Sequence, residues 1–575
     1  MTNIPSPQPA FPLGLWKSYK WLIVILAIAF LLRVLSWIQG APIVAVDGSE
    51  YLCGARNLTR GLGYVGCYDG PELMYTPMYS LLIAALSFLV RDFELSAHLI
   101  SVFFGTFLIL PVFFIALRVY GRRAAYISAV LTALQPVLVK LGGSTYNEAV
   151  YLTLFMAGIW AGIRALEFRN WKYSCLTGIF FALACLTRPE AFAYPIFFAG
   201  AIGGLAILSR KPITTAAFSS LLVLGTFLLL VSPYAKYLYD HTGSLRLEGK
   251  WNINFTIGER IQQGLDFSHA AYGVGENSRE SGPLLHPSQF AAYTPFHHSL
   301  RDKLSYLFHE AAVNRFDLYG QFSSYLLGDP LVFILVTIGL FRRSWSPRRL
   351  LHEMVLLVMC SSLLLLMLTA QHIERRYVFP LIPILIVWAA KGIDELGSWT
   401  RSLLARCKLP AFAHGLPAAG VQLTVLGSVL LISLYGSQSD GDFRVEEASN
   451  LPVKNAGLWL KTYDPGPKRI ASWDARITWY ADAAYLQFPN ADSATTLRYF
   501  ESQKPDYIYL SEHYSRPDPT MVDWLSHGIP DRHARLVYSA TTGLGKIAIY
   551  RWSPPEASQQ RPPSNPSGGR GEPTF

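Results

Sequence analysis

The sequence predicts a polytopic α-helical membrane protein that ends in a small α/β domain outside the bilayer. Composition carries the first part of that reading. Of 575 residues, 51% are AVILMFWYC and only 15% are charged, and the mean hydropathy is positive at +0.27. Soluble domains carry about a quarter charged residues, so this balance belongs to chains that lie mostly in lipid. The placement of charge carries the second part. Net charge is +10, and basic residues gather in short gaps between apolar runs, as they do in loops on the inner face of a membrane. No basic face is interleaved with aromatics, which argues against nucleic acid as a partner.

A helix needs about 20 apolar residues to cross the hydrocarbon core. The run 22–38 qualifies, entered from Lys17 and Lys20, and it lacks a small-residue cleavage site, so it reads as a retained helix. Met78–Val90 is shorter and begins after Pro77, which suits an interfacial or re-entrant helix. The run 95–117 ends at Arg118, Arg122 and Arg123, and that basic cluster sets the direction of the later spans. Runs at 124–139, 149–166, 173–186, 191–208 and 216–237 then alternate, with a break at Thr187-Arg188-Pro189-Glu190. After a long loop, 238–325, the runs 326–341, 352–370, 377–390 and 416–435 complete about eleven spans, with the N-terminus inside and the C-terminus outside.

The chain therefore divides into a membrane part, 1–435, an exterior α/β domain, 436–552, and a disordered tail, 553–575. Within the membrane part, 44–93 forms a first outer loop with juxtamembrane helices, and 238–325 a second, longer one. In the exterior domain, 469–473, 506–511, 535–540 and 546–552 read as strands. Helices fall between them at 456–463, 475–481, 495–503 and 520–527.

The stretch 44–79 stands apart. Helix connections in membranes need only a few residues, and loops this long are usually functional or disordered. Carboxylates, tyrosines and apolar anchors in one segment argue against disorder. It contains Asp47, Glu50, Tyr51 and Tyr75, and two cysteines, Cys53 and Cys67. In an oxidising compartment these two could pair, stabilising the loop by roughly 3 kcal/mol, or remain free thiols packed in it.

The same topology gathers further polar residues on the outer face: Glu148 after the third span, Arg188 and Glu190 at the proline break, and Arg375, Arg376 and Tyr377 before the tenth. Ionisable groups near the bilayer need a partner or a purpose. A carboxylate can take the proton of an acceptor hydroxyl as it attacks an anomeric carbon. Arginines can hold a leaving phosphate and stabilise its developing charge. These residues suit glycosyl transfer from a polyprenyl-phosphate sugar, beside which a transporter and a non-catalytic envelope-assembly protein stay open. Each residue also has a bland alternative: Asp47 as a helix cap, Glu50 as a first-turn acid, Tyr377 as part of an aromatic belt. His372 and Glu374 are too few to predict a metal site.

The segment DGSEYLCGARNLTRGLGY, with Asp47 four residues before Tyr51, resembles the first outer loop of the GT-C glycosyltransferases. Within these it resembles the bacterial protein-mannosyltransferase-like and aminoarabinose-transferase-like branch. Tyr75-Thr76-Pro77-Met78-Tyr79, LTRPEAF at 186–192 and RRYVFPLIPILIVWAAKGI at 375–393 resemble that branch's recurring segments. The resemblance implies a GT-C fold in a bacterial plasma membrane, a polyprenyl-phosphate sugar donor, a glycan, lipid or protein acceptor, and inverting transfer without a required cofactor. Asp47 matches the loop carboxylate taken there as the base, and the residues themselves offer Glu50 as a second catalytic candidate. From their place on the outer face and their chemistry, Arg188, Arg375 and Arg376 fall to the donor phosphate, and Tyr51, Tyr75, Glu148, Glu190 and Tyr377 to the pocket. The chain departs from its relatives where Glu50 is one turn from Asp47 rather than adjacent, and where Tyr75-Thr76-Pro77 replaces His-Pro-Pro.

Overall fold

The computed structural model describes residues 15–40, 43–68, 70–168, 170–208, 213–276, 280–290, 300–321, 330–369, 375–406, 415–439, 450–512, 518–542 and 545–553. The chain forms two compact units. One comprises 1–265 and 286–451, the other 266–285 and 452–575.

The first unit is helical. Among the described residues, seven helices are long and apolar enough to cross a membrane, or up to eight if one bent pair counts as a single span. They are Tyr19–Gly40, Phe93–Tyr120, Glu148–Phe168, Pro189–Ile207, Ile213–Thr242, Arg349–Leu368 and Pro417–Gly436, and the bent pair is Arg122–Leu134 with Pro136–Gly143. Shorter apolar helices occur at Met78–Val90, Trp171–Thr187 and Leu331–Phe341. The helix Leu381–Arg406 is buried continuously from Leu381 to Glu395. A Cβ at its Gly392 would lie 2.1 Å from the Leu335 carbonyl oxygen, so this helix meets Leu331–Phe341 backbone to backbone. Small residues at such crossings let membrane helices pack by close contact where no hydrophobic effect drives them together.

The second unit is built on a five-stranded sheet of order β2-β1-β3-β5-β4. β1 (Arg469–Ser472), β2 (Ala484–Gln487) and β3 (Tyr507–Ser511) run parallel, and β5 (Gly545–Trp552) is antiparallel to both β3 and β4 (Ala534–Thr542). The helices Arg476–Ala481, Ser493–Gln503 and Pro519–His527 connect the strands, the last two capped by Asp492 and Asp518. Phe488, Phe500, Trp524 and Trp552 centre the core. β2 is an element the sequence did not signal: four residues give too short an alternation to read. Residues 266–285 of the long loop also belong to this unit. Tyr272 stands edge-on to Trp473 at 4.9 Å, its carbonyl accepts the Asn490 N–H, and Leu285 is in the core. A stretch that reads as loop therefore contributes apolar anchors to the sheet domain.

Candidate active site

The site forms in the helical unit around the helix Val46–Thr59. Its entry is fixed by the Ala45 N–H, which donates to Thr145 Oγ1 at 2.8 Å. Gly48 is required there, since a Cβ would come within 2.5 Å of the same hydroxyl. This contact sets Asp47, in the first turn, beside Arg376, with which it forms an ion pair. The Tyr75 hydroxyl donates to Asp47 Oδ1 at 3.1 Å. Tyr75 is in turn positioned by Glu72, whose Oε1 accepts the N–H groups of Met74 and Tyr75 at 2.8 and 2.9 Å.

A second layer surrounds this pair. Tyr51 stands edge-on to Tyr75 and Tyr79, with ring centroids 5.3 and 5.2 Å apart. Its hydroxyl accepts Asn147 Nδ2 at 2.6 Å, and Asn147 also donates to the Thr187 carbonyl at 2.6 Å. That bond ties the start of one helix to the proline break in the next pair. At the break, Arg188 is buried between Glu148 (2.5 Å) and Glu190 (3.0 Å) and lies over the rings of Tyr151 and Tyr377. Asp47, Tyr51, Tyr75, Glu148, Arg188, Glu190, Arg376 and Tyr377 are thus brought into one constellation. The Arg375 side chain, and His372 and Glu374, lie outside the described residues.

Glu50 is turned another way. It is buried, its Oε2 accepts the Cys67 N–H at 2.9 Å, and Glu72 lies across Gly66 from it. A Cβ at Gly66 would sit 2.3 Å from Glu72 and 3.0 Å from Glu50. Cys53 and Cys67 form a disulfide, with Cα atoms 5.3 Å apart, that closes this part of the loop. Glu50 and the disulfide therefore shape the loop that presents Tyr75.

Beside the constellation opens a cavity that communicates with solvent and is lined by Tyr151, Arg188, Trp251, Arg376 and Tyr377 among others. Arg188, Lys250 and Arg376 give it a cationic side, with Glu190 and Glu248 among them; Leu363, Leu366 and Met367 give it an apolar wall. Burial acts to raise the Asp47 pKa, but the charges of Arg376 and Lys250 outweigh it and hold the carboxyl below its ordinary value. Burial pushes Glu248 up to about 7, against the N–H bonds it receives from Trp251 and Lys250. It does the same to Glu72, also to about 7. Burial, and then the neighbouring Glu72 carboxylate, raise Glu50 well above the usual range. The cationic neighbours of Asp47 thus favour its ionised form, whereas burial shifts Glu50, Glu72 and Glu248 towards the protonated form. Among the described residues, no cluster of three or more His, Cys, Asp or Glu is placed to hold a metal ion.

Sequence reasoning missed Glu248, Lys250 and Trp251. Their signal was thin: a Glu-Gly-Lys-Trp run just past a span, inside the long loop 238–325. Gly249 is the residue that matters there, because a Cβ would come within 1.6 Å of the Leu73 carbonyl oxygen. The close approach brings the loop that follows Ile213–Thr242 against the loop that carries Leu73 and puts Lys250 into the cavity.

This helical unit has the fold of the GT-C membrane glycosyltransferases. The profile of the family described as dolichyl-phosphate-mannose-protein mannosyltransferase matches residues 71–237. The chain superposes on the archaeal oligosaccharyltransferase AglB from Archaeoglobus fulgidus, solved with an inhibitory peptide and a dolichol-phosphate. The TM-score is 0.59 at 14% identity, covering 96% of this chain and 75% of that one. It also superposes on ArnT from Cupriavidus metallidurans bound to undecaprenyl phosphate, with a TM-score of 0.55 at 14% identity over 93% and 98% of the two chains. No curated protein matches the chain by sequence.

Proposed function

We propose that this protein transfers a sugar from a polyprenyl-phosphate carrier to an acceptor hydroxyl at the outer face of a bacterial plasma membrane. The observation that carries this reading is the cavity, which joins three cations, Arg188, Lys250 and Arg376, to an apolar wall of Leu363, Leu366 and Met367. A phosphate on a long hydrocarbon chain needs both at once. Both fold relatives were solved with phosphates of this kind, which supports the assignment.

The chemistry then divides among the residues present. The acceptor oxygen attacks the anomeric carbon from the face opposite the phosphate, so the configuration inverts. Its proton passes to the Asp47 carboxylate as the new C–O bond forms. The bond from the anomeric carbon to the phosphate oxygen breaks, and its electron pair leaves with the carrier phosphate, stabilised by Arg188, Arg376 and Lys250. Arg376 touches Asp47 and lines the cavity, so it couples the base to the leaving group. Tyr75 orients the other Asp47 oxygen. The sheet domain, which the charge pattern puts outside the bilayer, serves acceptor recognition.

Binding of undecaprenyl phosphate to the purified protein tests the reading. Wild type should bind saturably, and Lys250→Met should weaken binding about tenfold, the loss of one charge-assisted phosphate contact. Binding that is absent in wild type, or unchanged in the variant, would contradict it.

A further inference from the structure

We propose that Arg33 is a positioning residue. Its guanidinium replaces the backbone hydrogen bonds missing at the Pro136 break, and so fixes the turn that presents Thr145, Asn147 and Glu148 to the site. Arg33 lies within the apolar helix Tyr19–Gly40 and is fully buried. A long basic side chain in a span ordinarily reaches back to the interface. This one has no exposure, and among the described residues no carboxylate pairs with it. Its partners are carbonyl oxygens.

Those carbonyls are the ones that the break leaves without donors. The helices Arg122–Leu134 and Pro136–Gly143 meet at a 56° bend. Pro136 has no N–H, so the Thr132 carbonyl loses its partner four residues on. The next N–H, that of Val137, is taken by Gln135 Oε1 at 2.7 Å, so the Ala133 carbonyl loses its partner too. Arg33 donates to these two: Nη2 to Thr132 at 3.3 Å and Nη1 to Ala133 at 3.4 Å, with Nη1 also on Ala29 of its own helix at 3.0 Å. Carbonyls left unpaired in a bilayer are costly, and broken helices persist only where neighbours satisfy them. The planar fork of Arg can serve two adjacent acceptors, which the single point of a Lys ammonium does less well.

The surroundings are cut to the same side chain. A Cβ at Gly142 would lie 2.7 Å from Arg33 Cδ, and one at Gly105 would lie 3.0 Å from Arg33 Nε. One turn along, Trp37 stacks on His98 at 4.9 Å, and His98 Nδ1 meets the Gly143 carbonyl at 2.8 Å. The first helix thus grips the short helix at two points. Only Ser144 separates Gly143 from Thr145, which receives the Ala45 N–H, and Asn147 and Glu148 come next with their bonds to Tyr51 and Arg188. A shift of the short helix passes to these residues with little chain in which to absorb it.

The catalytic half of this inference rests on the glycosyltransferase reading; the structural half does not. The test uses full-length protein as wild type, Arg33→Met, Gly142→Ala, Pro136→Ala and the Arg33→Met/Pro136→Ala double variant. Melting temperature, donor KM and kcat per folded molecule are measured for each. Arg33→Met and Gly142→Ala should lower kcat about tenfold or more while changing donor KM little, as misplacement of a site does. Pro136→Ala returns an N–H to Thr132, so the double variant should lose less than the two single losses combined. An intact kcat in folded Arg33→Met, with only a lower yield or melting temperature, would overturn the positioning role. Strictly additive melting shifts would overturn the link to Pro136. If wild type transfers no sugar, the functional reading fails by itself, and the melting temperatures still decide whether Arg33 serves the break.

Discussion

The helical unit gathers charge at two places, and they are built differently. Glu148 and Glu167 sit at the two ends of one helix, about 28 Å apart at 1.5 Å per residue. At the Glu167 end the carboxylates are held by several donors each. Glu167 takes Arg118 and His352 at 2.5 and 2.7 Å. Glu353 takes Tyr120, Arg349 and Trp388 at 2.5, 3.0 and 3.0 Å. Glu395 takes Lys391 and Arg343, each at 2.7 Å. At the Glu148 end, Arg188 is paired with Glu148 and Glu190 and Arg376 with Asp47, but together with Lys250 they also line open space. The first arrangement clamps helices together. The second leaves cationic groups facing a volume that a ligand can fill. The two groups of ionisable residues thus differ in that those at the Glu148 end, though paired in part, also face a cavity.

Substitutions at each end put that contrast to the test. The largest effect is expected for Arg376→Met, which removes a cavity cation and the partner of Asp47. Transfer should fall about 10²–10³-fold, the range for losing one donor to a developing oxyanion, with the melting temperature little changed. At the other end, Glu353→Ala should do the reverse. It leaves Arg349 short of its buried partner, costing about 3–5 kcal/mol of stability, while donor KM measured on folded protein holds. A large change in donor KM there would dissolve the distinction between the two ends.

Smaller effects concern the loop on which the site stands. The far cluster is carried by helices, whereas Asp47 and Tyr75 depend on a loop closed by Cys53–Cys67. Cys53→Ser should cost about 3 kcal/mol in unfolding free energy, the closure entropy of a loop this size. An unchanged melting point under reducing agent would show that Glu50 and Glu72 hold the loop without it. The smallest effect is a pH dependence. Glu72 is raised from 4.5 to about 7 in the fold by burial, so between those values the unfolded chain releases a proton that the folded one keeps. Stability from this group is full below pH 4.5 and is lost as pH rises through 7. Glu72→Gln, which retains the carbonyl that Met74 and Tyr75 bond, should flatten that part of a melting-temperature profile. A profile of unchanged slope would contradict this role for Glu72.

Much of this was legible in the chain. Asp47, Tyr75, Glu148, Arg188 and Arg376 stood out because charge is scarce in an apolar sequence and each fell in a break between apolar runs. Their convergence comes from helices folding back on one another, so topology alone brought them to one side. Lys250 and Glu248 were hidden, since nothing local separates them from other loop charges; only the contact at Gly249 places them. Arg33 was hidden for the opposite reason. One arginine in an apolar run lowers the hydropathy too little to interrupt a span, and its partners, two carbonyls freed about a hundred residues later, leave no mark in composition. The segment 266–285 shows the same limit, because an excursion that packs on a distant sheet reads locally as loop.

Asp47 as the proton acceptor is tested by transfer of radiolabelled sugar from polyprenyl-phosphate donors by the purified protein, wild type beside Asp47→Asn. Wild type should transfer, and a variant that still folds and still binds undecaprenyl phosphate should lose about 10²–10⁴-fold in rate. Full activity in Asp47→Asn would contradict this assignment, and would move the proton-accepting role to a carboxylate that lines the cavity, Glu190 or Glu248.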